Sequence, residues 1–464
     1  MTDSITLTYH ELAGRVDQQA AALRNVGRDG DRVAIVGDNS ADYVVALYGV
    51  PRARRVLTLL NQRLHVDEQA RLVDRVGAVA VIGDGDRVDR LRGADPGAAE
   101  RLWLPFGRRS AGPLPNPEGW TIDAGPGDGG PAWLIHTSGT TGPAKAVPLT
   151  GSNLRAAIAA GARGRPVIDG DVYLFPFPLC HVAAYNVLLQ HQYGATVIVS
   201  DGFDAGETLA RVARHRVTTM SLAPTMIVRL LEHPAIAGTD LSSLRSIGYG
   251  AAALPPDVRR RAEEVLGCVL VEGYGMTELA GNAAFDGVPD ESISLRLVDG
   301  RGTEVPDGEA GEIVARGAQV ASGYWRDPAA TADAFVDGWF RTGDIARFDD
   351  RSRLVIVDRR KDIVITGGEN VASREVEDVL VTHPGVAEVA VVGLPDPEWG
   401  ERIVAVIVPA SGATPDDLPD SVVRHCREHL AGFKTPRQVE VLDALPVNST
   451  GKIDKVALRR LLGG

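Results

Sequence analysis

At 464 residues the chain is too long for a single hydrophobic core, so we expect two or three domains. Its 44% hydrophobic and 24% charged residues are ordinary for a soluble globular protein, and it contains no apolar run of membrane-spanning length and no basic, apolar leader. A formal net charge of −12 argues against a nucleic-acid partner, and three scattered cysteines argue against a zinc site and indicate a reducing compartment, so we expect a cytoplasmic protein with no integral membrane segment.

The N-terminal part of the chain alternates predicted helices and strands. Apolar residues at helical spacing, such as Leu12 and Val16, predict the first helix. The predicted elements are a helix at 9–24, a strand at 32–36, a helix at 41–50, a strand at 56–60, a helix at 67–76 and a strand at 78–82. Such alternation argues for a parallel, doubly wound sheet. Residues 83–130 are rich in Gly, Pro and Arg and predict surface loops with short strands.

A second unit of the same kind follows. Its predicted helices lie at 153–162, 182–190, 209–215, 224–231 and 257–266, and its predicted strands at 172–177, 196–199, 218–222, 244–249 and 269–273. From 293 to 320 short β segments separated by Asp-Gly and Gly turns predict a small barrel-like subdomain.

The C-terminal part predicts a separate domain. Strands are predicted at 338–344, 354–358 and 363–366, and the charged residues 359–362 between the last two indicate a domain boundary. The remainder is predicted as a small α+β domain, in which a helix at 421–430 places Cys426 in the core. We therefore predict a large α/β N-terminal domain of two doubly wound subdomains plus a β-barrel-like subdomain (1–358), and a small mobile α+β C-terminal domain (362–464).

The stretch from Trp133 to Lys145 reads W-L-I-H-T-S-G-T-T-G-P-A-K. Glycines let main-chain N–H groups turn toward one anion, the hydroxyls add donors, and Lys145 adds a positive charge. This composition predicts a polyphosphate cradle, although a Ser/Thr/Gly loop alone is as compatible with a surface turn. The Walker pattern is excluded, because Ala144-Lys145-Ala146 stands where Gly-Lys-Ser/Thr is required. Since residues 146–149 look extended, the loop is predicted to join two strands.

Five motifs together resemble the adenylate-forming superfamily of acyl-CoA synthetases, luciferases and peptide-synthetase adenylation domains. They are T-S-G-T-T-G-P-A-K (137–145), Y-G-M-T-E (274–278), R-T-G-D (341–344), D-R-R-K-D…G-G-E-N (358–370) and N-S-T-G-K (448–452). Any one of them could occur by chance, but all five in this order are specific. The resemblance covers essentially the whole chain.

The resemblance implies an ATP site. It assigns the polyphosphate to Thr137, Ser138, Gly139, Thr140, Thr141, Gly142 and Lys145, the adenine to Gly250, Ala251, Ala252, Tyr274 and Gly275, and the ribose to Asp344 and Arg359. It gives Mg²⁺ to Glu278 and Thr137, with Thr277 reaching a phosphate. From the residues alone, Tyr274 is as compatible with a core aromatic, and Asp344 with a turn residue.

The resemblance also assigns the C-terminal residues. Lys452 is expected to contact the carboxylate and the α-phosphate, where a cation stabilises charge at phosphorus. Lys361 is expected to be the hinge, within 359–361, and its alternative is a plain surface lysine. After rotation of the small domain, Gly367, Gly368 and Glu369 are expected to shape the pantetheine tunnel for coenzyme A.

The predicted acid pocket rests on weaker signals. The predicted pocket residues are His181, Ala184, Tyr185, Thr225 and Tyr249, with Met220, Ala223 and 281–284 as further candidates. The family often has His-x-x-Gly where this chain has His181-Val-Ala-Ala184, which puts the bore of the channel in question. A Cys180–His181 nucleophile pair is disfavoured, because sequence neighbours rarely align as nucleophile and base. The lining lacks an obvious buried charge, so an uncharged acyl or aryl acid is favoured over a dicarboxylic or amino acid.

Two further departures from the family pattern stand out. Ala146 replaces a usual Gly, which stiffens the loop. Arg54-Arg55 stands where a small pair is common. A solvated surface pair is favoured, and the alternatives are altered local packing or contact with an anion such as the 3′-phosphate of coenzyme A.

These features predict an ATP-dependent acid–thiol ligase: a small-molecule carboxylic acid and ATP give acyl-AMP and pyrophosphate, and coenzyme A then gives acyl-CoA and AMP. The alternatives are an acyl-AMP ligase that loads a carrier protein and a non-catalytic nucleotide- or acyl-adenylate-binding protein. The sequence leaves open whether the chain forms a homodimer.

Overall fold

The computed structural model describes residues 5–107, 129–137, 144–250, 254–367, 369–410, 417–448 and 452–463. The α-helices are α1 Tyr9–Leu23, α2 Ala41–Arg52, α3 Val66–Val76, α4 Gly85–Ala94, α5 Gly151–Gly164, α6 Tyr185–Gln192, α7 Ala205–His215, α8 Pro224–Glu232, α9 Pro256–Leu266, α10 Pro328–Ala334, α11 Ser373–Leu380, α12 Leu418–His429 and α13 Lys455–Leu461. Within these ranges, none of the helices is long and apolar enough to cross a bilayer.

The strands fall into four sheets. They are β1 Arg32–Val36, β2 Val56–Leu59, β3 Ala78–Gly83, β4 Leu102–Pro105, β5 Pro131–Thr137, β6 Lys145–Thr150, β7 Val172–Phe175, β8 Thr196–Val199, β9 Thr219–Leu222, β10 Ser246–Gly250, β11 Val269–Met276, β12 Gly281–Phe285, β13 Val288–Pro289, β14 Ile293–Val298, β15 Gly311–Gly317, β16 Phe335–Val336, β17 Trp339–Phe348, β18 Leu354–Arg359, β19 Ile363–Thr366, β20 Glu369–Ala372, β21 Val386–Asp396, β22 Gly400–Pro409 and β23 Gln438–Val441.

The chain forms two compact units. One comprises residues 1–294 and 316–340, and the other 295–315 and 341–464. The residues predicted as a barrel-like subdomain therefore group largely with the C-terminal residues. Because this division does not locate a hinge, the predicted boundary at 359–361 stays a prediction.

The first unit contains two doubly wound sheets. The first has the order β4-β3-β1-β2-β5-β6, parallel except for the antiparallel β5–β6 pair. The second has the order β13-β12-β11-β10-β9-β7-β8, with β12 and β13 antiparallel to their neighbours. Strands β1, β2 and β3 are almost wholly buried, as expected for parallel strands covered by helices on both faces.

In the second unit, β18 runs antiparallel to β17, with Asp344 opposite Arg359. A further sheet has the order β20-β19-β22-β21, with β23 parallel to β22. Its longest strand pairing is the β21–β22 hairpin, in which β21 is an edge strand. Helices α11 and α12 pack on its core, which includes the fully buried Cys426. The predicted fold class is confirmed.

Helix α4 departs from the sequence prediction. Residues predicted as loops include α4. In this helix only Val88 and Leu91 are buried, and the other side chains are mostly charged, so the apolar period is too weak to predict a helix. Residues 108–128 lie outside the described part of the chain.

Arg55 corrects a second prediction. It is neither solvated nor placed to bind an external anion, because it is only 2% exposed. Its guanidinium donates to the carbonyls of Val26 (2.6 Å) and Arg24 (2.9 Å), just beyond α1, and pairs with Asp29 at 3.0 Å. The side chain therefore satisfies the carbonyls left unpaired at the helix end.

Replacing Arg55 with leucine is expected to destabilise the protein by roughly 3 kcal/mol, because several buried carbonyls lose their donor. Chemical denaturation measures this loss. Arg54→Ala is the matched control, since Arg54 is exposed and its pair with Asp29 is worth little. Equal stability of the two variants would contradict the assigned role of Arg55.

Candidate active site

The predicted phosphate cradle lies between two antiparallel strands. Thr137 ends β5 and Lys145 begins β6, and the two residues are register partners. The Thr137 hydroxyl donates to the Lys145 carbonyl at 3.4 Å. The prediction of a strand-to-strand loop is thus confirmed. The loop residues Ser138, Gly139, Thr140, Thr141 and Gly142 lie outside the described residues.

Lys145 and Glu278 both contact the side chain of Tyr324. The Lys145 ammonium lies 4.6 Å from the centroid of the Tyr324 ring, and the Tyr324 hydroxyl donates to Glu278 Oε1 at 3.0 Å. Burial first, and the Glu278 carboxylate second, raise the pKa of Tyr324 well above its usual range. The hydroxyl therefore stays protonated and remains a donor to Glu278.

Backbone contacts explain why Tyr324 occupies this position. The Ala321 N–H donates to the Glu278 carbonyl, and the Trp325 N–H donates to the Ala146 carbonyl on β6, both at 2.8 Å. The segment from Ala321 to Trp325 therefore bridges the 3₁₀ turn Thr277–Leu279 and the strand that carries Lys145. Sequence reasoning missed Tyr324, because its partners Glu278 and Lys145 are 46 and 179 positions away in the chain. The signal that could have indicated it is an aromatic residue directly after Gly323, whose φ is +149°.

The adjacent ends of β10 and β11 depend on glycine. A Cβ on Gly250 would overlap the Gly273 carbonyl, and one on Gly275 would overlap the Gly281 carbonyl. These glycines let three backbones approach closely beside Tyr274, which is partly exposed on β11. Thr277 and Glu278 follow directly in the 3₁₀ turn. Ala251 and Ala252 lie outside the described residues.

In the second unit, the strand register brings Asp344 and Arg359 together. They are partners across β17 and β18, and Arg359 Nε lies 3.1 Å from Asp344 Oδ1. Asp344 is buried, whereas about half of the Arg359 side chain is exposed. The pair therefore presents an acceptor and a donor at one place.

A buried carboxylate supports this pair. Glu312 on β15 accepts from Arg341, from Arg360 at 3.2 Å and from the Gly343 N–H at 3.2 Å. The Arg360 N–H in turn donates to the Gly343 carbonyl at 2.8 Å. Glu312 thus holds the R-T-G-D residues 341–344 in position through hydrogen bonds. It was not predicted, because a lone Glu in a strand carries no sequence signal for a partner thirty residues later.

Lys452 lies within electrostatic reach of the same pair. Its side chain is exposed, yet the surrounding protein atoms remove enough water to lower its pKa; Arg359 lowers it further and Asp344 opposes the shift. Its N–H donates to Asn448 Oδ1 at 3.2 Å, and its carbonyl accepts from the Asn448 N–H at 2.8 Å. Lys452, Asp344 and Arg359 thus belong to one unit, and the two charged groups of the pair influence the Lys452 ammonium.

Comparison with known proteins agrees with this arrangement. The model of the AMP-binding enzyme family matches residues 1–325, and that of the AMP-binding enzyme C-terminal domain matches residues 375–452. The chain belongs to the AMP-binding enzyme family. The predicted family resemblance is confirmed, and so is the prediction of an enzyme.

Relatives of this AMP-binding enzyme cover nearly its whole length. It is 38% identical to a feruloyl-CoA synthase from Amycolatopsis sp, over 98% of this chain and 94% of the relative. It is 36% identical to a 7a-methyl-1,5-dioxo-octahydro-1H-inden-4-yl propanoyl:CoA ligase from Mycobacterium tuberculosis, with the same coverage. The solved amide bond synthetase McbA from Marinactinospora thermotolerans superposes with a TM-score of 0.89 at 31% identity, covering 99% of this chain and 96% of the other.

Lys361 follows Arg359 by two residues in the sequence of this AMP-binding enzyme. Burial lowers its pKa to about 8; Asp362 opposes the shift, and Arg359 and Arg459 add to it. Arg459 on α13 also donates to the Lys361 carbonyl at 3.4 Å and to Asp362 Oδ1 at 3.1 Å. The C-terminal helix is therefore tied to the predicted hinge segment.

The predicted tunnel residues of the AMP-binding enzyme lie in the β19–β20 hairpin. The Gly367 N–H donates to the Trp399 carbonyl at 2.8 Å, and the φ of Gly367 is +59°. A Cβ there would lie 3.0 Å from the Trp399 ring, so Gly suits this position. Glu369 is exposed at the start of β20, and Gly368 lies outside the described residues.

The predicted acid-pocket residues do not all lie together. Ala184 and Tyr185 are buried where α6 begins, and a Cβ on Gly281 would lie 2.9 Å from the Tyr185 ring. His181 directly precedes this segment. Tyr249 instead packs in the core under α8 and α9, where its hydroxyl accepts from Arg259 at 3.4 Å, and Thr225 is exposed on α8.

Proposed function

We propose that this AMP-binding enzyme is an ATP-dependent carboxylic acid–CoA ligase. The carboxylate attacks the α-phosphorus of ATP, pyrophosphate leaves, and the acyl-adenylate forms. The thiol of coenzyme A then attacks the acyl carbon, and AMP leaves. The observation that carries the proposal is the convergence of Lys145 and Glu278 on Tyr324, because it places a cation and a carboxylate for the metal beside the predicted cradle.

Each part of the nucleotide has its own residues in this proposal. The Tyr274 ring and the Gly250 and Gly275 backbones accept the adenine. Asp344 accepts hydrogen bonds from the ribose hydroxyls, and Arg359 orients that carboxylate. The cradle loop and Lys145 hold the leaving pyrophosphate.

The residues near the cradle fit a magnesium ion. Mg²⁺ prefers oxygen ligands, usually one or two carboxylates together with phosphate oxygens. Glu278 offers the carboxylate, and Thr137 offers a hydroxyl at the strand end. The Tyr324 hydroxyl orients the Glu278 carboxylate by donating a hydrogen bond to it. Bound there, the ion neutralises charge on the polyphosphate. We assign to Thr277 the role of donor to a phosphate oxygen.

The attack itself needs little covalent help from the protein. In-line placement of the carboxylate and a cation at the α-phosphorus suffice. We assign that cation to Lys452. The influence of Asp344 and Arg359 on the pKa of Lys452 supports the assignment. The ribose assigned to that pair and the α-phosphate are adjacent parts of ATP.

For the second step we propose a rotation about Lys361. Lys452 then leaves the reaction centre, and the loop with Gly367, Gly368 and Glu369 enters to line the pantetheine tunnel. The acid occupies the space beside His181, Ala184 and Tyr185.

The thiol acceptor is tested by presenting alternatives to the purified protein. With ATP, Mg²⁺ and a panel of short, medium, long, aryl and polycyclic acids, we expect acid-dependent AMP release that requires coenzyme A. Acyl transfer to a phosphopantetheinylated carrier protein but not to coenzyme A would instead favour the carrier-loading ligase. Nucleotide binding without acid-dependent pyrophosphate exchange would favour the non-catalytic binding protein.

Tyr324→Phe is expected to raise the Mg²⁺ concentration needed for half-maximal ATP–pyrophosphate exchange by about tenfold, because Glu278 loses its orienting donor. Phenylalanine keeps the ring beneath Lys145. Tyr324→Ala, which removes the ring as well, is expected to lose more activity. An unchanged Mg²⁺ dependence in the phenylalanine variant would refute the orienting role.

Lys361→Pro is expected to slow thioester formation by more than it slows adenylation, because proline fixes φ in the segment that rotates. Single-turnover rates of the two half-reactions measure the ratio. Lys361→Ala, which removes the charge but leaves φ free, is the control. A proline variant with an unaltered ratio would argue against a hinge at this residue.

A further inference from the structure

A buried arginine lies beside the predicted acid pocket. Arg165 directly follows α5 and is 7% exposed. Its Nη1 donates to the Met220 carbonyl at 2.8 Å, its Nη2 donates to Ser221 Oγ at 2.9 Å, and its guanidinium lies 5.6 Å from the centroid of the Tyr173 ring. All three of these neighbours are electrically neutral.

The lack of a carboxylate distinguishes Arg165 from its neighbours. Arg163 pairs with Asp290 at 2.7 Å, and Arg245 pairs with Asp171 at 2.6 Å. The equally buried Arg55 pairs with Asp29. None of the ion pairs formed by the described residues involves Arg165. Burying a charge without a counter-charge is costly, so this position calls for a reason beyond packing.

The chain is shaped to place the guanidinium there. A Cβ on Gly164 would overlap the Phe285 ring, so glycine lets the end of α5 lie directly on β12. A Cβ on Gly248 would overlap Arg165 Nη1, so a second glycine leaves room for the guanidinium. Gly248 and Ser221 are register partners on β10 and β9, and the guanidinium contacts both strands at that register.

This position lies close to the end of β10, where the predicted adenine loop begins. Gly248 precedes Gly250 by two residues on the same face of β10, a separation of about 7 Å at ~3.3 Å per residue. Gly250 begins the loop assigned to the adenine. Burial raises the pKa of Tyr185 to about 12, and the Arg165 charge opposes that rise, so Arg165 and the pocket residue Tyr185 are electrostatic neighbours. The far end of a small acid would reach this depth.

The polar groups at this place offer hydrogen-bond donors. Ser221 Oγ accepts from both Arg165 and the Tyr173 hydroxyl, at 2.9 Å each. A hydroxyl has two acceptor lone pairs and one donor proton, so the Ser221 proton stays available. A guanidinium carries five N–H donors, and Met220, Ser221 and the Tyr173 hydroxyl engage at most three of those of Arg165. The complement of such a cluster is an oxygen acceptor.

We propose that Arg165 and Ser221 bind an oxygen acceptor on the acid substrate, at the end remote from the reacting carboxylate. The substrate class is then a carboxylic acid whose far end carries a hydroxyl, ether, oxo or second carboxylate group. This inference rests on the proposed ligase function and refines its substrate. It also replaces the sequence-based expectation that no buried charge lines the pocket, since Arg165 belongs to no motif.

The test compares matched acids on wild type and variants. The acids are cinnamate and its 4-methoxy, 4-hydroxy and 4-carboxy forms, and octanoate with 8-hydroxyoctanoate and octanedioate. In wild type we expect kcat/KM of CoA-dependent AMP release to favour an oxygenated member by about 10- to 100-fold, the range of a hydrogen bond to a charged group. The 4-carboxy acid and octanedioate separate a charged acceptor from a neutral one.

Arg165→Met is expected to abolish that preference, and Arg165→Lys to keep part of it, because lysine retains the charge without the fork. Ser221→Ala removes one donor without touching the guanidinium, so it tests the site even if Arg165→Met folds poorly. Arg155→Met, an exposed arginine on α5, controls for charge loss. Thermal unfolding verifies that each variant is folded.

The possible outcomes distinguish a failure of the Arg165 role from a failure of the ligase function. An equal wild-type rate for oxygenated and plain acids, or a preference that survives in both Arg165→Met and Ser221→Ala, would overturn the role of Arg165 and leave the ligase function standing. Absence of acid-dependent AMP release from every acid would overturn the ligase function, and the inference with it.

Discussion

Lys452→Ala is expected to slow acyl-adenylate formation by about 10²- to 10³-fold, the usual effect of removing one group that stabilises transition-state charge. The same variant is expected to transfer supplied acyl-adenylate to coenzyme A at near the wild-type rate. The reason is that Lys452 acts only while charge develops at the α-phosphorus. Acid-dependent ATP–pyrophosphate exchange measures the first half-reaction, and acyl-CoA formation from synthetic acyl-adenylate measures the second.

The control for Lys452 comes from the composition of the chain. Only five lysines occur in the sequence, at 145, 361, 434, 452 and 455. Lys434 lies in the same unit, pairs with Glu375 at 2.6 Å and belongs to none of the five motifs. Lys434→Ala should therefore leave both half-reactions intact. Equal loss of the two half-reactions in Lys452→Ala would exclude a role confined to adenylation.

Glu278→Gln is expected to reduce ATP–pyrophosphate exchange by about 10²-fold and to raise the Mg²⁺ requirement, because a neutral amide is a poor ligand for a hard cation. Glutamine still accepts the hydrogen bond from Tyr324, so the side chain keeps its orientation. The loss is therefore attributable to charge and not to a displaced segment. Titration of the exchange rate with Mg²⁺ measures both effects.

Coupling between Glu278 and Tyr324 provides an internal check. If the tyrosine acts through the carboxylate, Tyr324→Phe should have little further effect in the Glu278→Gln background, and the two losses should not add. Glu264→Gln, an exposed carboxylate on α9, serves as the control. A Glu278→Gln variant with wild-type Mg²⁺ dependence would remove the proposed ligand from the account.

Periodicity predicted most of the fold, because most elements bury a regular face. Strand β1 and helix α1 carry strong apolar patterns and were predicted within a residue or two. Helix α4 was missed because only Val88 and Leu91 are buried. The role of Arg55 was missed because its acceptors are the carbonyls of a helix end, which any sequence could supply.

The residues of the candidate site also fall into two groups, those that the motifs predicted and those that only the structure revealed. The motifs predicted Lys145, Glu278, Asp344 and Arg359, and the structure brings these together in two pairs through Tyr324 and through the β17–β18 register. Motifs record residues that contact the ligand.

The supporting residues came only from the structure. Tyr324, Glu312 and Arg165 each act on a partner distant in the chain, so no local pattern marks them. The predicted pocket residue Tyr249 illustrates the reverse case. It lies on the strand that leads into the predicted adenine loop, but alternation along β10 turns its side chain toward Arg259 on α9.

The central claim is that the substrate carboxylate attacks the α-phosphorus of ATP. Turnover of an acid labelled with ¹⁸O in both carboxylate oxygens tests it directly, with mass spectrometry of the products. The account predicts one ¹⁸O in AMP and one in acyl-CoA, with unlabelled pyrophosphate. Formation of ADP together with ¹⁸O-labelled inorganic phosphate, or AMP without label, would contradict it.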